Sequence, residues 1–161
     1  MNKVSFPNTN GLNITMSGLI NFPENFDSTK TYPAIVVSHP GGGVKEQTAG
    51  TYAKKLAEKG YIALAYDASY QGESGGEPRQ LENPHVRTED VSAAIDYLTT
   101  LDYVDNERIG AMGICAGAGY TANAVWNMWI KLSIAGSASC QAFYPGLTAI
   151  PENEHIGWSG R

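Results

Sequence analysis

The 161-residue chain carries a net charge of −5, with 17% charged residues, 18 glycines, nine tyrosines and two cysteines. This suits a single compact, turn-rich α/β domain rather than a disordered chain, and the acidic balance without a Lys/Arg block argues against a nucleic-acid partner. No apolar run approaches the roughly 18 residues of a membrane span, the start MNKVSFPNTNG has no apolar signal core, and two cysteines make no disulfide framework, so a cytoplasmic protein with free thiols is expected.

Lys3–Phe6 and Leu12–Phe22 are predicted strands, joined across Asn8-Thr9-Asn10-Gly11 into an antiparallel hairpin at a sheet edge, because Asn-Gly favours the positive φ angles of a tight turn. Pro23–Tyr32 is polar and reads as a surface connection. Ala34–Val37 is a short β-branched run without alternation, as in a strand covered on both faces. It runs into Ser38-His39-Pro40-Gly41-Gly42-Gly43. Three glycines after a buried strand let backbone N–H groups approach a ligand. Gly41 or Gly42 can thus supply half of an oxyanion hole, which Pro40 cannot, having no N–H. A plain turn or a phosphate cradle are the alternatives, the latter without G-x-G-x-x-G or G-K-[ST]. His39, at a strand end, is read as a residue that positions its loop rather than as a base.

Thr48–Lys59 is a predicted helix with Tyr52, Leu56 and Ala53 toward the sheet, stopped by Gly60. Tyr61–Tyr66 is the next buried strand. Ala68–Pro84 has no period; following a strand's C-terminal end, it is either a loop on the ligand side of a parallel sheet or a solvated excursion. Thr88 is the expected cap of a second helix, with Glu89 and Asp90 in its first turn and Val91, Ala94, Ile95 and Leu98 as its apolar stripe. Asp102–Glu107 is the expected connection to a third buried run.

That run, Ile109–Ile114, stops at Cys115 and is followed by Ala116, Gly117, Ala118 and Gly119. Gly113-Ile114-Cys115-Ala116-Gly117 fits the strand–turn–helix pattern G-x-S-x-G with a thiol in the nucleophile's place. The glycines leave room for the neighbouring strand and helix to close on the turn. A helix over Ala118–Trp129 follows, and its N-terminal dipole favours a thiolate at Cys115. The competing reading is an ordinary turn whose Cys is a small buried hydrophobe. The alternation of strand and helix implies right-handed crossovers and a parallel sheet.

HPGGG, DASYQGESGG and GICAGAGY, in this order and spacing, give the stretch from Tyr32 to about Asn127 its resemblance: it is similar to the α/β-hydrolases, and among them to dienelactone-hydrolase-like enzymes, which also carry Cys in the elbow. The resemblance implies a mostly parallel α/β-hydrolase sheet with an N-terminal antiparallel hairpin. It implies hydrolysis of a small-molecule carboxylic ester or lactone through an acyl-enzyme on Cys115. The N–H of Ala116, with that of Gly41 or Gly42, would hold the oxyanion. No metal or organic cofactor is implied.

The chain departs from that pattern after the elbow. Such a triad runs nucleophile, acid, His, each on its own strand-end loop. The only later carboxylates are Glu152 and Glu154 besides the C-terminus, and the only later His is His155, which is the candidate base by default. Only 39 residues lie between Cys115 and His155, whereas each βα unit takes about 30 or more. Ile130–Ile134 reads as one further strand, Cys140 as incidental, and the Gly-, Ser- and Pro-interrupted stretch from Ala135 to Arg161 shows no helix period.

The chain therefore reads as a single but truncated domain over residues 1–161. Residues 1–30 form the hairpin and connection, 31–130 the βα core, and 131–161 an atypical tail, with C-terminal strands missing. An apolar sheet edge left in this way favours aggregation or a homo-oligomer. Two functions stand at this point: ester or lactone hydrolysis, whose activity in this short form is open, and a catalytically silent domain that binds a partner or small ligand. A thiol-redox role lacks C-x-x-C or a resolving Cys.

Overall fold

In a computed structural model, which describes residues 2–9 and 13–135, the predicted runs assemble into one five-stranded sheet with helices on both faces. The elements are β1 (Asn2–Asn8), β2 (Ile14–Asn21), β3 (Tyr32–Ser38), α1 (Thr48–Glu58), β4 (Ile62–Tyr66), α2 (Pro84–Thr99), β5 (Val104–Gly113) and α3 (Ala116–Ala135). The strand order is β1-β2-β4-β3-β5. β1 and β2 form the expected antiparallel hairpin, from Asn2 opposite Ile20 to Asn8 opposite Ile14, and β2 runs antiparallel to β4. β3 is parallel to both β4 and β5. Strands β4, β3 and β5 therefore end on the same rim, where ligands meet sheets of this kind. Among the described residues β5 is the outer strand.

The core divides by face. Met16, Ile20, Val36, Leu64 and Tyr66 pack against Val91, Ala94, Ile95 and Leu98 of α2 and Ala124 of α3, so the apolar stripe read from α2 is the buried one. On the other face Val37, Ala63 and Ala65 meet α1. There Ala49, Ala53 and Ala57 are the buried positions, and Tyr52 and Leu56 flank the contact only partly covered. Alanine at the contact lets the helix lie close to a sheet face that is itself lined by alanines. Phe22, Phe26, Tyr32 and Tyr103 pack tilted or edge-on against one another with centroids 4.4–5.7 Å apart and tie down the connection before β3.

Three boundaries differ from the sequence reading. Helix α2 begins one turn earlier: Asn83, not Thr88, is its cap, accepting from the N–H of His85 (2.9 Å) and Val86 (3.4 Å), with Pro84 as the first helical residue. Pro has no N–H to leave unpaired there, so Asn-Pro starts a helix well. Thr88 and Asp90 lie inside the helix and are buried. Strand β5 begins at Val104, opposite Tyr32, and then bulges before Ile109 pairs with Ala34. Asp105 closes the bulge by accepting from Glu107 N and Arg108 Nε. Ile130–Ile134 is helical, as part of α3, and not a strand. No Gly or Pro lies between Thr121 and Ala135 to stop that helix, and the two isoleucines stand four apart, one helical turn.

Candidate active site

The rim of the sheet is shaped by the turn from β5 into α3. Ile114 N donates to Ser38 O at 3.1 Å, which anchors the end of β5 to the end of β3. The next residue, Cys115, turns to φ 56° and is exposed. Gly117 N then donates to Ile114 O and Ala118 N to Cys115 O, both at 3.0 Å, starting the helix. Left-handed backbone costs an L-residue about 1–2 kcal/mol, so the surroundings must hold it. They do so through the two glycines. A Cβ on Gly113 would fall on the Gly117 carbonyl, and one on Gly117 would lie 2.6 Å from His39 O and 2.8 Å from Ser38 O. The close packing read from the pattern is thus present, and the thiol is not a buried hydrophobe.

Beside this turn, His39 opens the glycine loop. Its side chain is fully buried. Nε2 accepts from Ala68 N at 3.1 Å, so the proton sits on Nδ1, which donates to Pro40 O at 2.6 Å. Burial holds its pKa below the usual histidine value, against the opposing pull of the Pro40 bond. A neutral ring with both nitrogens occupied fixes the loop to the segment after β4. Gly43 N closes the loop on Pro40 O at 2.9 Å. The N–H groups of Gly41, Gly42 and Ala116 have no partner among the described residues. A Cβ on Gly41 would lie 2.9 Å from a Glu82 carboxylate oxygen, whereas one on Gly42 would meet nothing within 4 Å among the described residues. His155 and Cys140 lie outside the described residues.

Two clusters here carried no signal in the sequence. Arg87, in the first turn of α2, is fully buried. It donates from Nη1 to Gly41 O at 3.0 Å and from Nη2 to His39 O at 3.5 Å, with its guanidinium carbon 5.1 Å above the Tyr120 ring. Tyr120 donates to Glu82 Oε1 at 2.7 Å, and that bond, then burial and the Glu82 charge, raise the phenol's pKa against the pull of Arg87. Asn83-Pro84 would have betrayed the true start of α2, and with it that residue 87 faces inward; only the fold shows what it meets.

The second cluster is Lys45, whose ammonium lies 2.7 Å from Asp67, 2.6 Å from Glu73 and 2.8 Å from Glu46. Burial works against its charge, but the three carboxylates prevail and its pKa is raised. Asp67 also accepts from the N–H of Lys45 and of Glu73, both at 2.8 Å. Bonds from Lys3 and then Lys45 bring Glu73 down to about 2. The long segment after β4 is therefore tied to the glycine loop rather than being a loose excursion. Asp90, buried in α2, adds a second tie, accepting from Ser69 N at 2.8 Å and Asn8 Nδ2 at 2.7 Å. Among the described residues no three His, Cys, Asp or Glu side chains gather as a metal site, and no helix is long and apolar enough to cross a membrane.

Comparison with known proteins agrees with this geometry. The family model for the dienelactone hydrolase family matches residues 16–156. The chain is 78% identical over 123 residues to the uncharacterized protein YcjY of Escherichia coli K12, a match covering 76% of the chain and 40% of YcjY. It resembles the crystal structure of the hypothetical protein PA2218 from Pseudomonas aeruginosa at 46% identity and a TM-score of 0.73, covering 77% of the chain and 38% of PA2218. The structure of the α/β hydrolase GrgF from a Penicillium species, 24% identical with a TM-score of 0.70 over 77% of the chain and 40% of GrgF, shares the fold. The chain thus spans about two fifths of the length of each.

Proposed function

Since the chain belongs to the dienelactone hydrolase family of α/β hydrolases, we propose that it hydrolyses a small-molecule carboxylic ester or lactone through Cys115. The observation that carries the reading is Cys115 itself, exposed and held at φ 56° where β5 gives way to α3.

The Cys115 thiol gives its proton to a base, for which His155 is the candidate, and the sulfur attacks the substrate carbonyl carbon. A C–S bond forms, and the carbonyl oxygen, now an oxyanion, is held by Ala116 N–H and a glycine-loop N–H. As the oxyanion collapses the C–O bond to the alcohol breaks, and the leaving oxygen takes the proton. Water then cleaves the thioester, returning the thiol and releasing the acid. Donors fixed in advance at an oxyanion contribute roughly 100-fold or more each. His39 serves as the loop's anchor, since neither of its nitrogens is free to move a proton. The proposal extends to a cytoplasmic location and to pairing of two copies along β5, the outer strand among the described residues.

A second reading, a silent domain that binds without turning over, draws on one observation: His39, beside the elbow, has both ring nitrogens engaged, by Ala68 N and Pro40 O. Incubation with p-nitrophenyl acetate separates the two. Steady release of p-nitrophenol that disappears in Cys115→Ala supports the hydrolase. A stoichiometric burst without turnover supports the silent domain, and no Cys115-dependent release at all refutes nucleophilic chemistry here.

A further inference from the structure

Glu82 stands where the two elements flanking the elbow meet. On one side it lies against the glycine loop, its Oε1 and Oε2 at 2.9 and 3.2 Å from where a Cβ of Gly41 would be. On the other it accepts from the phenol of Tyr120 at 2.7 Å. Both elements reach the turn at Cys115. The loop opens at His39, whose carbonyl is one of the two that crowd Gly117. Helix α3 opens at Ala116, directly after the thiol, so Tyr120 stands about 6 Å along the axis from its first residue. Side chains on a helix lean toward its N-terminus, which carries the Tyr120 ring, and the carboxylate bonded to it, toward the Cys115 end.

These contacts leave the carboxylate open. Oε1 takes the Tyr120 bond, but Oε2 accepts no hydrogen bond among the described residues. The facing cation, Arg87, is 3.9 Å from Oε1, and its side chain is 1% exposed against 41% for Glu82. Arg87 is committed behind: Nη1 donates to Gly41 O at 3.0 Å, while Nη2 lies 3.3 Å from His39 Nδ1 and 3.5 Å from His39 O. The pair is thus a dipole whose negative end faces solvent. The other cations of the two segments also have protein acceptors. Lys45 is buried among Asp67, Glu73 and Glu46, and Arg79 donates to the carbonyls of Gly72, Ser74 and Gly76. Between the loop and α3 a substrate therefore meets an open acceptor rather than a cationic fork.

We infer that Glu82 is a specificity-determining residue: its outward carboxylate makes Cys115 prefer esters that carry a positive charge near the carbonyl over neutral or anionic ones. This rests on the reading of Cys115 as a nucleophile that becomes acylated.

The test uses the full chain and two matched pairs of reagents. The p-nitrophenyl esters of γ-trimethylammoniobutyrate and of its neutral carbon isostere have the same shape and differ by one charge. Their Cys115-dependent bursts, taken as the difference from Cys115→Ala and divided by their rates with a small free thiol, are expected to favour the cation about fivefold, the worth of one half-exposed ion pair. Trimethylammonioethyl and sulfonatoethyl methanethiosulfonates, treated in the same way, read the same field at the sulfur without an ester, and attraction with repulsion should separate them by about 20-fold. Glu82→Gln keeps an acceptor for Tyr120 and should bring both preferences close to one. Glu82→Ala, a truncation at a half-exposed position, gives the same reading if the amide does not fold. Glu107→Gln, in the bulge at the far end of β5, removes the same net charge and should change neither. Preferences that survive in the folded Glu82 variants, or that fall equally in Glu107→Gln, overturn the assignment. A wild-type chain whose Cys115 reacts with the thiosulfonates but with neither ester refutes the hydrolase reading instead.

Discussion

Replacing Gly117 by Ala puts a methyl group where β3 and α3 meet. Its carbon would lie 2.6 Å from His39 O and 2.8 Å from Ser38 O, both backbone atoms at the buried end of β3. Carbon and oxygen normally meet no closer than about 3.3 Å, so the helix must withdraw from the strand by roughly 0.7 Å. Overpacking of this kind costs about 1–3 kcal/mol, while Ala gains up to about 1 kcal/mol over Gly inside a helix. The net loss of stability should be no more than about 3 kcal/mol.

The effect on reactivity should be larger, because the withdrawal moves Cys115 and Ala116 N–H away from the loop behind His39. A displacement near 1 Å at a reacting centre can lower a rate about 100-fold. The urea midpoint gives the first number and the p-nitrophenyl acetate burst gives the second, with iodoacetamide alkylation as the control that needs only the thiol. Gly119→Ala is the matched comparison, since among the described residues nothing lies within 4 Å of its added carbon: it should stabilise the helix slightly and leave both reactions alone. If Gly117→Ala acylates as fast as Gly119→Ala, the packing of α3 on β3 does not set the site's geometry, and the argument for the elbow fails.

Cys115→Gly relieves left-handed strain of about 1–2 kcal/mol but adds about 0.5–1 kcal/mol of backbone entropy to the unfolded chain. Unfolding free energy from urea titration should therefore rise by about 0–1.5 kcal/mol as all Cys115 labelling disappears, and a clear destabilisation would contradict the observed φ. Lys45→Met leaves Asp67 buried without its cation, and breaking such a pair costs about 3–5 kcal/mol; Lys45→Met with Asp67→Leu should lose less than the sum of the two single changes in a double-mutant cycle. His39 has its folded-state pKa lowered by burial. Below about pH 6.5 the unfolded chain therefore binds a proton that the folded chain refuses. Stability should fall as pH drops from about 6.5 toward the folded value, by up to about 1.4 kcal/mol per pH unit. His39→Gln, which keeps an acceptor for Ala68 N–H, should flatten that slope in urea titrations from pH 7.5 to 5.5.

What the sequence determined was whatever depends on periodicity and backbone sterics over a few residues. The hairpin, the covered strands β3 and β4, the stripe on α2 and the glycine-flanked Cys115 all follow from where apolar, β-branched or Cβ-less residues fall along the chain. So does the resemblance to α/β hydrolases, because HPGGG and GICAGAGY are local backbone devices. The misplaced start of α2 was a local error: Thr88 has a capping side chain, but Asn83-Pro84 has both a capping side chain and a residue that needs no N–H partner. The supposed strand at Ile130–Ile134 was ambiguous for another reason, since a five-residue apolar run fits either period.

The tertiary structure alone decided which charges go inside. Arg87 and Lys45 look like ordinary surface cations in the sequence: the Asn83-Pro84 start of α2 would turn Arg87 inward without naming its partner, and nothing near Lys45 marks it as buried. Each is buried because a carbonyl or carboxylate from a distant segment waits for it: Gly41 O, 46 residues before Arg87, and Asp67, 22 residues after Lys45. Pattern fixes backbone shape, but the pairing of buried polar groups is set by which segments the sheet order brings together.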